Sequence, residues 1–135
     1  MKARIVKAAR VANPIAAALV VALVFVQVYL IAEYIFGDAA ALDTHMTVGR
    51  VVVGIELIVL LTAVVGWWRN WAEIRSSVAL VVVGGFQASF AADLGSSPPV
   101  HALHGLLALV VAVLAWSIAA RGRRELLRRP QAARA

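Results

Sequence analysis

Long apolar runs separated by short polar stretches dominate the pattern of this chain. Four such runs, at about 13–36, 46–68, 77–94 and 100–120, contain few charged residues. A helix needs about 20 residues to cross the roughly 30 Å hydrocarbon core of a bilayer. The pattern therefore predicts an all-α integral membrane protein, a single four-helix membrane domain that covers residues 1–135.

Composition supports this prediction and narrows the chemistry. Of the 135 residues, 63% are hydrophobic and 15% are charged, which is unlike a soluble globular protein. The first apolar run is longer than the 7–15-residue core of a signal peptide, so we expect it to be a retained helix. The chain has no cysteine, which excludes disulfides, thiolate metal ligands and thiol-based redox chemistry. A redox role would therefore need a cofactor.

Positive charge falls on one side of the predicted membrane. Of the 13 lysines and arginines, all but Arg50 lie before the first segment, between the second and third, or in the tail at 121–135. Basic residues are retained in the cytoplasm, so both termini are predicted to be cytoplasmic. The richness in alanine, valine and arginine suggests a bacterium, and hence a bacterial plasma membrane. The basic tail is expected to meet anionic lipid head groups, and no nucleic-acid partner is expected.

The chain contains an internal repeat of two helical hairpins, at about 13–68 and 77–120. In each half a glutamine is followed six residues later by an acidic residue, and the next segment opens with a His-x-x-x-Gly motif. The matched residues are Gln27, Glu33, His45 and Gly49 in the first half and Gln87, Asp93, His101 and Gly105 in the second. Because the halves share one orientation, we expect a bundle with a pseudo-twofold axis along the membrane normal. The second and fourth helices should then face each other diagonally.

Ionisable and polar residues inside a membrane are costly, and they predict where function lies. Their depth from the outer end of each segment can be estimated at about 1.5 Å per residue. By this estimate the polar residues Gln27, Glu33, Arg50, Glu56 and Gln87 all lie in the outer half of the membrane. His45 and Glu56 share one helix face. Arg50 points elsewhere and could pair with Glu33 or Asp93, or with a cofactor carboxylate.

A histidine on each of two facing helices is the arrangement that bis-imidazole ligation of a b-type haem requires. We therefore expect His45 and His101 to be the axial ligands of haem iron. Gly49 and Gly105 would leave room for the ring, and Arg50 would lie near the haem propionates. The function predicted in this way is one-electron transfer near the outer face, with quinone or a larger respiratory complex as the partner.

Several further residues admit more than one interpretation. His104 lies close to the His101 face and is a competing ligand or a supporting group. Gln27 and Gln87 could hydrogen-bond across the axis, pair as interhelical contacts, or line a quinone pocket. Glu56 could carry protons or shape the pocket.

Other classes of function stay open at this stage. The histidines could be interfacial residues without a ligand, or they could hold zinc or copper through His45, His101 and His104 with Asp43 as a fourth ligand. The chain could also be a cofactor-free accessory subunit or assembly factor of a larger membrane complex, or could form a homodimer. A small transporter is less favoured, because the polar residues form no continuous path into the cytoplasmic half.

The runs THMTVGRVVVGIELIVLL and VHALHGLLALVVAVLAW resemble a family of small, uncharacterised four-helix bacterial membrane proteins whose second and fourth helices open with such histidine motifs. More loosely, the arrangement is similar to one half of the haem A synthase fold, a four-helix bundle whose second and fourth helices hold haem through histidines near the outer face. This second resemblance implies haem ligation by His45 and His101. Haem-modifying activity is not expected, because the chain has only one half and no equivalent of the synthase's catalytic apparatus.

Overall fold

The structure is a computed structural model that describes residues 1–93 and 97–132, with side chains at 1–89 and 97–128. The described residues form four α-helices and no strand. In chain order they are α1 (Lys2–Ile35), α2 (Ala40–Trp67), α3 (Trp71–Asp93) and α4 (Pro98–Ala132). The prediction of an all-α fold with four helices is confirmed.

Each helix extends beyond the apolar run that predicted it. The largest extensions are the first turns of α1 and the last turns of α4, which carry the basic residues of the two termini. Alanine, arginine, lysine and leucine dominate these extensions, and all four residue types favour helix. The apolar run thus predicts the part of each helix that suits a bilayer. The helix continues beyond that part because the flanking residues have high helix propensity.

Short turns join the helices. Gly37 ends α1 with φ of 116°, a left-handed conformation that favours glycine. The Asp38 carboxylate then accepts a hydrogen bond from the backbone N–H of Ala40 at 3.0 Å, where α2 begins. The turn between α2 and α3 holds Asn70, whose side chain accepts a hydrogen bond from the Glu73 N–H at 3.4 Å. Both turns are tight, so neighbouring helices run antiparallel.

Three of the helices, α1, α2 and α4, are long and apolar enough to cross a membrane, as judged on the described residues. Large apolar side chains also cover the outside of the bundle. They include Phe25, Val28, Leu61, Val82, Val113 and Trp116, each more than half exposed. A monomeric soluble protein rarely exposes so much contiguous apolar surface. The surface is therefore suited to an apolar surrounding.

The helices pack in a ring. Helix α1 contacts α2 and α4, and α3 also contacts α2 and α4, whereas neither diagonal pair is in contact among the described residues. Helices α2 and α4 thus lie diagonally across the bundle axis, as the repeat predicts. A diagonal pair leaves a gap on the axis that side chains or a ligand must fill.

One end of the bundle, which holds the first turns of α1 and the last described turns of α4 and is here called the basic end, is tightly packed. Asn13 donates a hydrogen bond to the Val59 carbonyl at 2.8 Å, and Arg10 donates one to the Gly66 carbonyl at 2.6 Å, so that α1 is fixed to α2. The next layer is a fully buried cluster of small and branched residues. It contains Ala17, Val20, Val59, Leu80, Ala115 and Ile118. Packing of this kind fills the bundle axis in this half.

An ion pair fixes α3 to α4 at the same end. Arg121 Nε lies 2.7 Å from Glu73 Oε1, and the Glu73 side chain is 6% exposed. A Cβ atom on Gly122 would lie 2.8 Å from Cβ of Pro14, so α4 and α1 approach closely here. The basic end therefore holds the four helices together and leaves the opposite end, called here the histidine end, free to open around a site.

Candidate functional site

Two histidines at the histidine end are held by the same hydrogen bond. His45 Nδ1 lies 3.2 Å from the carbonyl oxygen of Gln27, and His104 Nδ1 lies 3.2 Å from that of Gln87. A carbonyl oxygen only accepts, so each Nδ1 carries the proton and donates it, which leaves the Nε2 lone pair free. Histidines that bind metals are held in this way, with the second ring nitrogen donating to a carbonyl or carboxylate.

The two rings meet across the bundle axis. The ring centroids of His45 and His104 are 6.2 Å apart, and the ring planes make an angle of 62°. An imidazole nitrogen lies about 1.1 Å from its ring centre and a zinc–imidazole bond is about 2.0–2.1 Å long, so two imidazoles on opposite sides of one metal have centres about 6.2–6.4 Å apart. The separation and angle are those of an edge-to-face contact between two rings, and the distance also equals the spacing of two imidazoles on opposite sides of one metal.

The partner of His45 in the structure is His104, not the expected His101. His101 is exposed and does not line the cavity described below. The Gln–His hydrogen bonds join residues 18 apart in the first half and 17 apart in the second, whereas Gln87 and His101 are 14 apart. Spacing from the glutamine therefore identifies the equivalent histidine better than the His-x-x-x-Gly motif does.

A cavity of about 420 Å³ surrounds the histidine pair. This volume lies within the range of small-molecule sites. All four helices contribute to the cavity. The polar residues that line it are Gln27, His45, Arg50, Glu56, Gln87 and His104, and the apolar ones include Val24, Val52, Val53, Ala108 and Val111. An apolar chamber with a few polar groups directed into it is the usual form of a cofactor site.

The other residues that the sequence singled out are divided between this cavity and the outside of the bundle. Arg50 is exposed and lines the cavity. Gly49 also lines it, and a Cβ atom added at Gly49 would lie 2.9 Å from the side-chain nitrogen of Gln27. Gly105 is exposed and does not line it. Glu33 accepts a hydrogen bond from the Tyr29 hydroxyl at 2.5 Å on the exterior, and among the described residues it forms no ion pair with Arg50.

The side chain of Asp93 lies outside the residues whose side chains are described, so its predicted supporting role stays a prediction.

Glu56 contributes the most deeply buried polar group of the cavity. Its side chain is 1% exposed, and its carboxyl group packs directly on Gly84 of α3. Neither carboxylate oxygen has a hydrogen-bond partner among the described residues, and the same is true of the side-chain oxygens of Gln27 and Gln87. From the sequence, the pair Gly84 and Gly85 could be a packing notch or a kink, but a glycine that accommodates a distant carboxyl group leaves no local signal that names its partner.

No group of three or more histidine, aspartate or glutamate side chains converges in the described part of the chain. The alternative of a zinc or copper centre built from His45, His101, His104 and Asp43 therefore has no counterpart in the structure. Two histidines facing each other instead suit a metal whose remaining coordination positions come from a cofactor ring.

No family model matches the chain, and no curated protein or solved structure matches it at a significant level. The likeness to one half of the haem A synthase fold stays an expectation from sequence motifs. The site must be interpreted from its own geometry.

Proposed function

We propose that the protein is an integral membrane protein that holds one b-type haem between His45 and His104 and transfers single electrons. One observation carries the proposal. Two imidazoles from diagonal helices face each other with centroids 6.2 Å apart, and each Nδ1 is bonded to a backbone carbonyl. A b-type haem would be held by two such imidazoles, each with Nε2 free to bind iron.

Four membrane crossings are part of the proposal. Helices α1, α2 and α4 are apolar enough to span a bilayer. Helix α3 has 23 residues, a length of about 35 Å, and packs against two of the other three. We therefore assign it as the fourth crossing. The concentration of lysine and arginine at the basic end supports an orientation with that end, and both termini, in the cytoplasm of a bacterial cell.

Each residue of the cavity has a defined part in the proposed site. The carbonyl groups of Gln27 and Gln87 fix the ring orientation of the two histidines and raise the basicity of Nε2. The valine side chains that line the cavity would limit the access of water to a bound haem and so lower the local dielectric constant there. Arg50, exposed at the cavity edge, is available to pair with a haem propionate. When bound, the haem supplies a one-electron redox centre near the outer face.

The test is a dithionite-reduced minus oxidised absorption spectrum of the detergent-purified protein, together with its haem-to-protein ratio. The wild type is expected to show a b-type difference band, and His45→Ala and His104→Ala are each expected to lose it. His101→Ala is the matched control, since His101 is exposed and off the cavity. This variant should keep the band and the haem content of the wild type.

A colourless wild type without recoverable haem contradicts the proposal and favours the accessory-subunit interpretation, whose test is the identity of co-purifying membrane proteins. Loss of haem in His101→Ala with retention in His104→Ala would return the second ligand to the residue first expected from the sequence.

A further inference from the structure

The carboxyl group of Glu56 is placed in the cavity at a cost to the fold, because nothing in the described structure donates a hydrogen bond to it. Glu56 is only 1% exposed, and its carboxyl group occupies the space left by the missing side chain of Gly84. Buried polar groups are nearly always hydrogen-bonded, and an unpartnered one calls for a water, an ion or a ligand. Glu56 therefore indicates a guest in this part of the cavity.

The position of this carboxyl group relates it to the histidine pair. Gly84, against which it packs, precedes Gln87 by three residues on α3, a rise of about 4.5 Å along the helix. The Gln87 carbonyl holds His104. The carboxyl group is thus about one helical turn from the level of the proposed redox centre, on the side towards the buried cluster.

The unpartnered atoms define the chemistry of the guest. The side-chain oxygens of Glu56, Gln27 and Gln87 are all hydrogen-bond acceptors. The surrounding walls are apolar, and Arg50, which also lines the cavity, forms no ion pair with Glu56 among the described residues. A guest that fits is neutral, apolar over most of its surface and equipped with an O–H donor. Hydroquinones combine these properties, and they are soluble in lipid.

We propose that the cavity binds a hydroquinone, with one ring hydroxyl donating a hydrogen bond to the Glu56 carboxyl group. The inference names a second class of ligand for the cavity and does not depend on the proposed haem. The binding itself is argued from the cavity and its acceptors, and it can be measured without haem.

The test is anaerobic equilibrium dialysis of the detergent-purified full-length protein, kept reduced by dithionite, against a short-chain hydroquinone. The dimethyl ether of the same compound, which has no O–H, is the comparison ligand. We expect the hydroquinone to bind about tenfold more tightly than the ether, the effect of one buried hydrogen bond. Glu56→Leu should weaken hydroquinone binding at least tenfold, whereas the control Glu33→Leu, on the exterior, should leave it unchanged.

Gly84→Ala gives a second variant that keeps the carboxyl group. Its Cβ would occupy the position where the Glu56 carboxyl group now lies, so the carboxyl must move and hydroquinone affinity must fall. Equal binding of hydroquinone and ether, no binding of either, or wild-type affinity in both Glu56→Leu and Gly84→Ala overturns the inference. A haem-containing protein that binds no hydroquinone contradicts this inference alone, and a colourless protein that binds it contradicts the proposed function alone.

Discussion

At the scale of single residues, Glu56 has opposite effects on the stability of the fold and on ligand binding. Its carboxyl group is 1% exposed and has no donor among the described residues, within a helix whose other buried residues are mostly apolar. An isolated polar group in such surroundings destabilises the folded state. The residue therefore lowers stability while it supplies the acceptor that the cavity offers to a ligand.

Replacing Glu56 with leucine should accordingly stabilise the ligand-free protein. Leucine has a similar volume and no unsatisfied oxygen, so we expect the free energy of unfolding to rise by about 1–3 kcal/mol. Denaturation in mixed detergent micelles, followed by circular dichroism, measures the change. Glu33→Leu is the control and should change stability by less than about 0.5 kcal/mol, because that side chain is at the surface. A Glu56→Leu protein less stable than the wild type would show that the carboxyl group is an integral part of the packing.

The residue scale is also where the sequence alone was least sufficient. The repeat predicted a histidine pair, and a pair is present, yet its second member is His104 and not His101. Two histidines three residues apart on one helix differ by only about 60° in direction, so a motif cannot separate them. What distinguishes them is the hydrogen bond from His104 to the Gln87 carbonyl, which forms only in the folded structure. Likewise, no pattern in the sequence connects Glu56 with Gly84.

At the scale of helices, close approach at small residues fixes the basic end. A Cβ atom on Gly66 of α2 would lie 2.9 Å from the backbone nitrogen of Arg10 on α1. Small residues of this kind let neighbouring membrane helices pack backbone to backbone. The Arg10 hydrogen bond to the Gly66 carbonyl depends on the same approach.

Gly66→Ala should therefore separate α1 from α2. Backbone atoms cannot swing aside, so we expect the free energy of unfolding to fall by about 1–3 kcal/mol. Gly54→Ala on the same helix is the matched control, since nothing lies within 4 Å of its added Cβ. The control should be neutral or more stable by up to about 1 kcal/mol, the gain in helix propensity. Equal stability of the two variants, measured by the same denaturation, would contradict the packing described here.

The helices themselves were well predicted from apolar runs, with ends that differ for a physical reason. The fourth run was predicted over about 100–120, whereas α4 extends over Pro98–Ala132. Hydropathy reports where a helix could meet lipid, and it carries no information about the polar turns that continue beyond it. The length of the apolar runs was enough to predict that the elements are helices. The positions of the helix ends depend on turn residues such as Gly37.

At the scale of the whole molecule, the repeat and the ring of helix contacts agree. The sequence predicted that the second and fourth helices face each other diagonally, and α2 and α4 do so. The cavity on the axis could be expected from that arrangement. Its contents could not, because the directions of Gln27, Gln87 and Glu56 depend on how far each helix is rotated and shifted against its neighbours.

The proposed four crossings can be tested by single-cysteine labelling, since the native chain has no cysteine to give a background. Exposed positions in successive turns and at the end of α4 are available as Ala39→Cys, Arg69→Cys, Ser97→Cys and Arg123→Cys. A membrane-impermeant thiol reagent should label the first and third in intact cells, and the second and fourth only after lysis. Labelling of Arg69→Cys and Ser97→Cys from the same side would show that α3 does not cross the membrane.

The measurement that tests the central claim most directly is the reduced-minus-oxidised spectrum of His104→Ala before and after imidazole is added to the purified protein. If His104 is an axial ligand, the variant lacks the b-type band when supplied with haem, and imidazole, which restores a nitrogen ligand inside the cavity, brings the band back. A band that is unchanged in His104→Ala without imidazole would contradict the claim that His45 and His104 hold the haem between them. The same conclusion would follow if the folded variant gave no band with imidazole.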